Sequence, residues 1–234
     1  DAKPNKKRPS AQEGRLLSHT AFLFANGEMR DARHVEAQIH PNDLLVAVDG
    51  GLKHIAALGR IPDVLIGDLD SVTPEEVAAC RMAGSEVIRF PAEKDETDLE
   101  LAVNLACERG TSRLVIVGAT GGRLDQTLGN LLLLTRPDLS QIDACLDDGV
   151  QVVRLVRDSL SLSGSAGDTV SLIPLTLEVE GIVTEGLKYR LDGERLRQPS
   201  TRGISNVMLA SEARVTVASG ALIIIHTRIE PGME

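Results

Sequence analysis

Short apolar segments alternate with segments of helical periodicity through the first half of the chain, roughly from residue 22 to residue 146. Each apolar segment is rich in Val, Ile and Leu at successive positions, which is typical of strands buried on both faces. Between the strands, apolar residues recur at helical spacing, as Leu52, Ile55 and Ala56 do. This alternation constrains the fold more than any other feature, because it predicts a parallel α/β sheet. The predicted strands span residues 21–25, 44–48, 64–66, 86–90, 114–117 and 142–146.

Two of the predicted helices have recognisable ends. Thr73, Pro74 and Glu76 have the order of an N-cap, a first-turn proline and a capping-box glutamate, and Gly84 ends this helix. The segment from Thr97 to Glu100 has the same capping-box form, and its helix ends at Gly110. Because both helices begin just after predicted strands, they support the strand–helix alternation.

Beyond about Pro137 the helical periodicity disappears. Short strands separated by Gly, Ser and Asp replace it, which favours an antiparallel β-sandwich. We therefore predict a flexible tail at residues 1–18, an α/β domain with a Rossmann-like parallel sheet at 19–139, and a C-terminal antiparallel β-sandwich domain at 140–234. The strands predicted in the second half span residues 150–156, 160–162, 169–174, 178–183, 186–191, 213–217 and 221–225.

Charge and composition limit the partners of such a protein. The net charge of −9 argues against nucleic acid or an anionic membrane as a partner. No apolar run of about 18 residues predicts a transmembrane helix, and the polar start does not resemble a signal peptide. The three cysteines form no C-x-x-C pair, so we expect neither a disulfide framework nor a zinc site. Together these features predict a soluble protein of the reducing cytoplasm.

Carboxylates follow four of the predicted strands. Because ligands bind at the carboxyl ends of parallel strands, these acids should gather at one edge of the sheet, where a cation must offset their repulsion. Asp68 and Asp70 would point to one side of an extended backbone and Leu69 into the core, which favours a magnesium site. The alternative is an Asx-type turn in which one of the two acids caps the helix at Thr73. The other acids of this group are Asp49, Asp95, Asp98 and Asp125.

Glycines accompany the acids at two strand ends. Gly50 and Gly51 follow Asp49, where they either admit a ligand close to the backbone or form a plain tight turn. The segment 118–122 is a glycine-rich bend suited to phosphate, although it lacks the G-K-[ST] ending of a Walker loop. Arg123, next in the chain, can offset phosphate charge. The helix that follows should bury a face made of Leu124, Leu128, Leu131 and Leu132.

In combination, these motifs resemble the thiamine pyrophosphokinase family. The resemblance covers roughly residues 21–225 and extends into the second half through Gly186-Leu187-Lys188-Tyr189 and Ser205-Asn206. It implies an α/β domain plus a β-sandwich domain in a homodimer, with the active site in a cleft between the subunits. The first-half motifs are Asp49-Gly50-Gly51, Gly67-Asp68-Leu69-Asp70-Ser71, Asp95-Glu96-Thr97-Asp98 and Gly121-Gly122-Arg123-Leu124-Asp125-Gln126.

The resemblance also implies a reaction and a role for each motif. ATP would bind with Mg²⁺, the hydroxyethyl oxygen of thiamine would attack the β-phosphorus, and AMP would leave. Metal ligands would be Asp68, Asp70 and Asp98. Catalysis would use these three with Arg123 and either Asp98 or Asp125 as acceptor of the alcohol proton. ATP would contact Asp49, Gly50, Gly51, Asp95, Thr97, Gly121, Gly122 and Arg123. Thiamine would contact Asp125, Gln126, Asn130, Ser205 and Asn206.

Three features depart from the family pattern in its eukaryotic members. Lys94 replaces a glutamine, Leu101 replaces a lysine, and no Trp is present to stack on the thiamine ring. The first two favour a bacterial-type member. Two alternatives remain open at this stage: a diphosphokinase for another heterocyclic alcohol of the pterin type, and a nucleotide-binding regulator without catalytic activity.

Overall fold

The computed structural model describes residues 20–229, and the tail predicted at residues 1–18 lies outside them. The first half alternates strands and helices as expected, each strand lying within a residue or so of its predicted position. Its strands are β1 (Thr20–Phe24), β2 (Leu44–Val48), β3 (Val64–Gly67), β4 (Glu86–Arg89), β5 (Arg113–Val117) and β6 (Asp143–Asp147). Its helices are α1 (Ala32–Ala37), α2 (Leu52–Ala57), α3 (Pro74–Met82), α4 (Asp98–Glu108) and α5 (Leu124–Leu133).

A single helical turn at Pro137–Leu139 precedes β6, and the described residues after β6 form strands without a helix. The strand predicted at 186–191 is wrong: Gly186 turns the chain with a φ of 71°, Leu187 makes only an isolated bridge to Met208, and the next strand begins at Asp192. The two-residue strand at Asn206 was not predicted. The strands are β7 (Gln151–Val156), β8 (Ser159–Ser163), β9 (Thr169–Pro174), β10 (Glu178–Glu185), β11 (Asp192–Arg197), β12 (Asn206–Val207), β13 (Glu212–Thr216) and β14 (Leu222–Thr227).

One ten-stranded sheet runs through most of the molecule in the order β12-β9-β14-β7-β6-β5-β1-β2-β3-β4. The six strands from β6 to β4 are parallel, and β1 lies between β2 and β5. Chain order therefore reverses between β1 and β5, which is the topological switch point where open α/β sheets bind ligands.

Helices cover both faces of the parallel strands. Val35, Ile55 and Cys80 of α1, α2 and α3 pack on one face, whereas the apolar side of α4 packs on the other. The capping box of α3 is confirmed, since Thr73 Oγ1 accepts from the Glu76 amide and Glu76 accepts from the Thr73 amide. In the part of the chain that the structure describes, no helix combines the length and apolar character needed to cross a membrane.

The antiparallel half grows directly out of the parallel half. In β6, Cys145 pairs with Val115 of parallel β5 on one side and with Arg154 of antiparallel β7 on the other. A second sheet, in the order β11-β10-β13-β8, packs on the antiparallel strands through a core that includes Leu172 and Ile182. The predicted fold class, a parallel α/β sheet followed by an antiparallel sandwich, is confirmed. A division of the chain at residue 140 stays a prediction.

Candidate active site

A cavity of about 710 Å³ opens at the carboxyl ends of the parallel strands. Its walls come from the loops that follow β1, β2, β3 and β5, together with the loop that leads into α4. As predicted, the polar loops that follow the parallel strands meet at one edge of the sheet. None of the residues that line this cavity belongs to the second half of the chain.

Three carboxylates converge at this site, and two of them, Asp49 and Asp68, line the cavity. Asp49, Asp68 and Asp70 each place an oxygen within 4.8 Å of the other two. The backbone there is not extended, because Leu69 is left-handed with a φ of 62° and the Asp70 amide donates to Asp68 Oδ1 at 3.1 Å. Leu69 is nevertheless buried as predicted. The Asx turn and the acid cluster therefore exist together, and the turn brings the two acids to the same side. Neither acid caps the following helix, because Thr73 fills that position with its own side chain.

Asp98 lies beside this cluster rather than within it. Lys94 Nζ lies 3.0 Å from Asp98 Oδ1, yet this buried oxygen accepts no hydrogen bond from any described residue. The contact is therefore an ion pair without hydrogen-bond alignment. A Cβ placed on Gly67 would lie 3.2 Å from both Asp98 Cγ and Asp49 Cβ, so the two carboxyl side chains flank the same glycine.

The donor set suits a hard divalent cation. Magnesium takes carboxylate oxygens together with water and substrate phosphate, and the three clustered acids offer carboxylate oxygens only. Asp98 Oδ1, a buried oxygen that accepts no hydrogen bond from a described residue, faces the same region. The residues present therefore fit Mg²⁺, although the closest acid trio has Asp49 where the sequence pattern favoured Asp98.

Glycine is needed at positions 50 and 51 because other protein atoms occupy the space that a side chain would take. A Cβ on Gly51 would lie 1.7 Å from the carbonyl oxygen of Phe24, and one on Gly50 would meet the side chain of Asn26 at 2.7 Å. Neither glycine lines the cavity. Asp95, which is exposed on the loop before α4, does not line it either.

The predicted phosphate elements do line the cavity. Gly121 and Gly122 are left-handed, with φ values of 85° and 65°, and space around Gly122 is open. Thr97 caps α4 and accepts from the Glu100 amide at 3.2 Å, so the amino end of this helix points at the site. Free amides and the dipole at a helix start favour an anion there.

Arg123 and Asp125 form an exposed pair at the mouth of the cavity. The guanidinium donates to Asp125 from Nε at 3.1 Å and from Nη2 at 2.5 Å. The hydrogen bond from Arg123 lowers the pKa of Asp125, helped by the Gln126 amide. Since a carboxyl group with a lowered pKa is a weak base, this pair suits anion binding better than proton abstraction.

Helix α5 presents polar groups to the cavity and leucines to solvent. Gln126 and Asn130 line the cavity, and buried Asn130 donates from Nδ2 to the Ala119 carbonyl at 2.7 Å. The prediction that this helix buries its leucines is wrong for three of four. Leu124, Leu128 and Leu132 are 71%, 52% and 54% exposed, because the inward side of the helix is occupied by Asn130 and Leu131.

The two predicted thiamine contacts of the second half lie at the edge strand β12. Asn206 is buried and holds the backbone of Tyr189 from both sides, accepting from its amide at 2.8 Å and donating to its carbonyl at 2.7 Å. Tyr189 itself is 60% exposed. Ser205, left-handed with a φ of 61°, donates its amide to Ser171 Oγ at 3.1 Å.

Sequence reasoning missed Asn26 and Gly27, which line the cavity after β1. No acid marks this strand end, since Ala25, Asn26 and Gly27 follow β1 directly. The rule that located the other loops would have found these residues too, because β1 is one of the two strands at the switch point.

Two family models match the chain. The model for "Thiamin pyrophosphokinase, catalytic domain" matches residues 35–146, and the model for "Thiamin pyrophosphokinase, vitamin B1 binding domain" matches residues 158–223. The first match spans most of the parallel half, including the acid cluster. The second spans most of the antiparallel half, including Tyr189 and Asn206.

Individual relatives agree with these models. The thiamine pyrophosphokinase of Bacillus subtilis is 31% identical over 89% of this chain and 98% of its own length. Thiamine pyrophosphokinase 2 of Arabidopsis thaliana is 32% identical over 68% of this chain and 62% of its own. The crystal structure of the B. subtilis protein matches with a TM-score of 0.81 and 27% identity over 90% of this chain and 100% of that one. The Candida albicans protein, 16% identical over 90% of this chain and 89% of its own, shares the fold with a TM-score of 0.76.

Proposed function

The chain belongs to the thiamin pyrophosphokinase family, and on that premise we propose that it is an ATP-dependent diphosphotransferase that converts thiamine to thiamine diphosphate. The observation that carries the proposal is the cavity at the switch point. One wall holds Asp49 and Asp68 of the acid trio, with Asp70 next to them, and another holds the glycine bend beside Arg123. Acids for a phosphate-bound cation and donors for the phosphates therefore face one space.

In this reaction the hydroxyethyl oxygen of thiamine forms a bond to the β-phosphorus of ATP. The bond from that phosphorus to the oxygen bridging it to the α-phosphorus breaks, so AMP leaves with the bonding electrons and the alcohol proton passes to a base. Such a transfer depends mainly on alignment and on offsetting charge. Arg123 and the amino end of α4 provide donors for the phosphate oxygens.

Mg²⁺ is part of the proposal, and Asp49, Asp68 and Asp70 would hold it, with Asp98 beside them. When bound, the ion supplies positive charge to the phosphate oxygens and helps to fix their positions. Of the two acids proposed as base, Asp125 has its pKa lowered by Arg123, which makes it a weak proton acceptor. We therefore assign the alcohol proton to Asp98, which lines the cavity beside the acid trio, and give Asp125 the role of holding Arg123 in place.

A homodimer is proposed because the site of one protomer lacks its thiamine half. Asn206 and Ser205 lie in the antiparallel half, which contributes no residue to the cavity. The exposed leucine row of α5 begins immediately after Arg123 at the mouth of the cavity. A second copy that covers this row can bring its own Tyr189 ring to the cavity and supply the stacking surface for thiamine that a missing Trp leaves open.

A cytoplasmic location completes the proposal. Cys80, Cys107 and Cys145 are all free thiols, and two of them are buried. Free thiols of this kind are typical of a reducing compartment.

The test combines one variant with a choice of acceptors. Wild-type protein should release AMP from Mg-ATP with thiamine and not with a pterin alcohol, and the thiamine product should be its diphosphate by chromatography. Asp70→Asn should lower AMP release by at least about 100-fold, because it removes one of three converging charges, and should weaken Mn²⁺ binding measured by electron paramagnetic resonance. Glu108→Gln, which removes an exposed carboxylate at the far end of α4, is the matched control.

Near-normal turnover and Mn²⁺ binding in Asp70→Asn would contradict the metal assignment. Two results would contradict the thiamine kinase assignment. One is AMP release when the pterin alcohol is the acceptor, and the other is no AMP release with either thiamine or the pterin alcohol.

A further inference from the structure

Asn26 lies just after the carboxyl end of β1, beside the switch point, and is one of the residues that line the cavity. The backbone around it is fixed to the neighbouring strand end. The amides of Gly27 and Glu28 donate to the carbonyls of Gly118 and Thr120 at 2.7 and 2.8 Å. This pairing joins the loop of Asn26 to the glycine-rich bend that ends in Gly121 and Gly122. Asn26 therefore occupies a fixed position among the elements that form the phosphate side of the site.

Lys53 determines which way the Asn26 amide points. Its ammonium donates to the Asn26 carbonyl oxygen at 2.9 Å and to Oδ1 at 2.7 Å. An ammonium has no acceptor, so the side-chain oxygen must face Lys53 and the NH2 group must face away from it. No residue between 20 and 229 accepts a hydrogen bond from Asn26 Nδ2. The amide is thus held by its oxygen and keeps two free donor hydrogens.

Gly50 completes the support of this amide. A Cβ on Gly50 would lie 2.7 Å from both Cγ and Nδ2 of Asn26, so the amide group rests directly on the glycine. The glycine after Asp49 thereby provides the space that the Asn26 side chain occupies. An oriented donor held against the loop of the acid trio is well placed for an oxygen of a bound phosphate.

We propose that Asn26 binds the transferred diphosphate group of ATP through Nδ2, with Lys53 as the positioning residue that orients it. The inference rests on the proposed function for the identity of the ligand. A neutral donor is suited to this position, because it adds a hydrogen bond to phosphate without competing for the nearby carboxylates as a second cation would. A hydrogen bond to a charged acceptor has an expected effect of about 10- to 100-fold on affinity.

Asn26→Asp is the sharpest variant, because it keeps the shape and the acceptor for Lys53 but replaces the donor by a negative charge. We expect ATP and inorganic diphosphate to bind at least about 10-fold more weakly by calorimetry in the absence of thiamine. Asn26→Ala removes the donor without the charge, and it carries the test if the aspartate variant does not fold. Asn42→Asp, the same change in an exposed turn at the opposite edge of the sheet, should bind both ligands as wild type does.

Lys53→Met tests the positioning role. With the amide free to rotate, KM for ATP should rise less than in Asn26→Ala, and Lys53→Arg should restore it because a guanidinium can also donate to Oδ1. If Lys53 had a purely structural role, Lys53→Met would change thermal stability without this ordered change in KM for ATP.

Unchanged ATP and diphosphate affinity in folded Asn26→Asp and Asn26→Ala would overturn the proposal even if wild type makes thiamine diphosphate. If wild type makes none, the proposed function fails, whereas the binding comparison still decides whether Asn26 contacts phosphate.

Discussion

Non-glycine residues in the left-handed region mark the site at the scale of single residues. Within the described part of the chain they are Asp49, Leu69 and Ser205, and each belongs to a motif that sequence analysis associates with ligands. Such a backbone costs on the order of 1–3 kcal/mol and persists where surrounding structure holds it. Buried Leu69 supplies that anchor for the turn between Asp68 and Asp70. The acids converge as predicted, through a tight turn instead of an extended strand.

His54 gives a prediction at this scale. Its Nε2 lies 3.0 Å from the Gly27 carbonyl beside the loop of Asn26. Burial lowers the pKa of His54 below 6.5, against the opposing Gly27 hydrogen bond and with help from the Lys53 charge. A lowered pKa means that the unfolded state takes up the proton first, so the stability is complete above about pH 6.5 and falls as the pH drops through the folded pKa.

His54→Gln keeps a neutral donor and does not titrate. We measure the free energy of unfolding of both proteins by urea denaturation at several pH values. The value for wild type should decrease relative to that of the variant as the pH falls from 7 to 5. A difference that stays constant over this pH range would contradict the lowered pKa of His54. Carboxylates that titrate in both proteins cancel in the comparison.

At the scale of elements, local signals located helix starts better than they located helix faces. The capping box at Thr73 and the N-cap at Thr97 depend on neighbouring residues, so the sequence alone predicted where α3 and α4 begin. The leucine row of α5 has the spacing of a buried face, yet three of its leucines are exposed. Periodicity identifies an apolar face but not what covers it, and a face reserved for another subunit has the same pattern.

Thr73→Ala should cost about 1 kcal/mol of unfolding free energy, because the Glu76 amide loses its capping acceptor. Urea denaturation measures this, and Thr73→Ser, which keeps the hydroxyl, should recover most of the loss. Equal stability of the alanine variant and wild type would show that the box contributes nothing to α3.

At the scale of the whole molecule, sequence patterns predicted the fold class and most of the cavity, but not how the site is completed. Strands that end in acids could be assigned to one sheet edge from chain order alone. The separation of Asn206 from the cavity could not be predicted from the sequence, because it depends on how the antiparallel strands continue the sheet beyond β6. The packing role of Gly50 and Gly51 also needs the distance between β1 and the turn after β2.

Leu128→Glu should convert the proposed dimer to a monomer, since it places a charge in the middle of the exposed leucine row of α5. Sedimentation velocity measures the change, and circular dichroism should remain that of the wild type because Leu128 is already 52% exposed. Met82→Glu, at an 85% exposed position on α3 across the sheet, is the matched control. A Leu128→Glu protein that sediments as wild type does would exclude this row from the subunit interface.

The strand β6 also has a mechanical consequence. Its backbone is hydrogen-bonded to a parallel neighbour on one side and to an antiparallel neighbour on the other, so both halves of the protein share one continuous, rigid sheet. Rotation of one half against the other would require breaking that ladder. In the proposed homodimer, enclosure of substrates would therefore come from short loops or from movement between subunits, and crosslinking the two halves of one protomer should leave turnover unchanged.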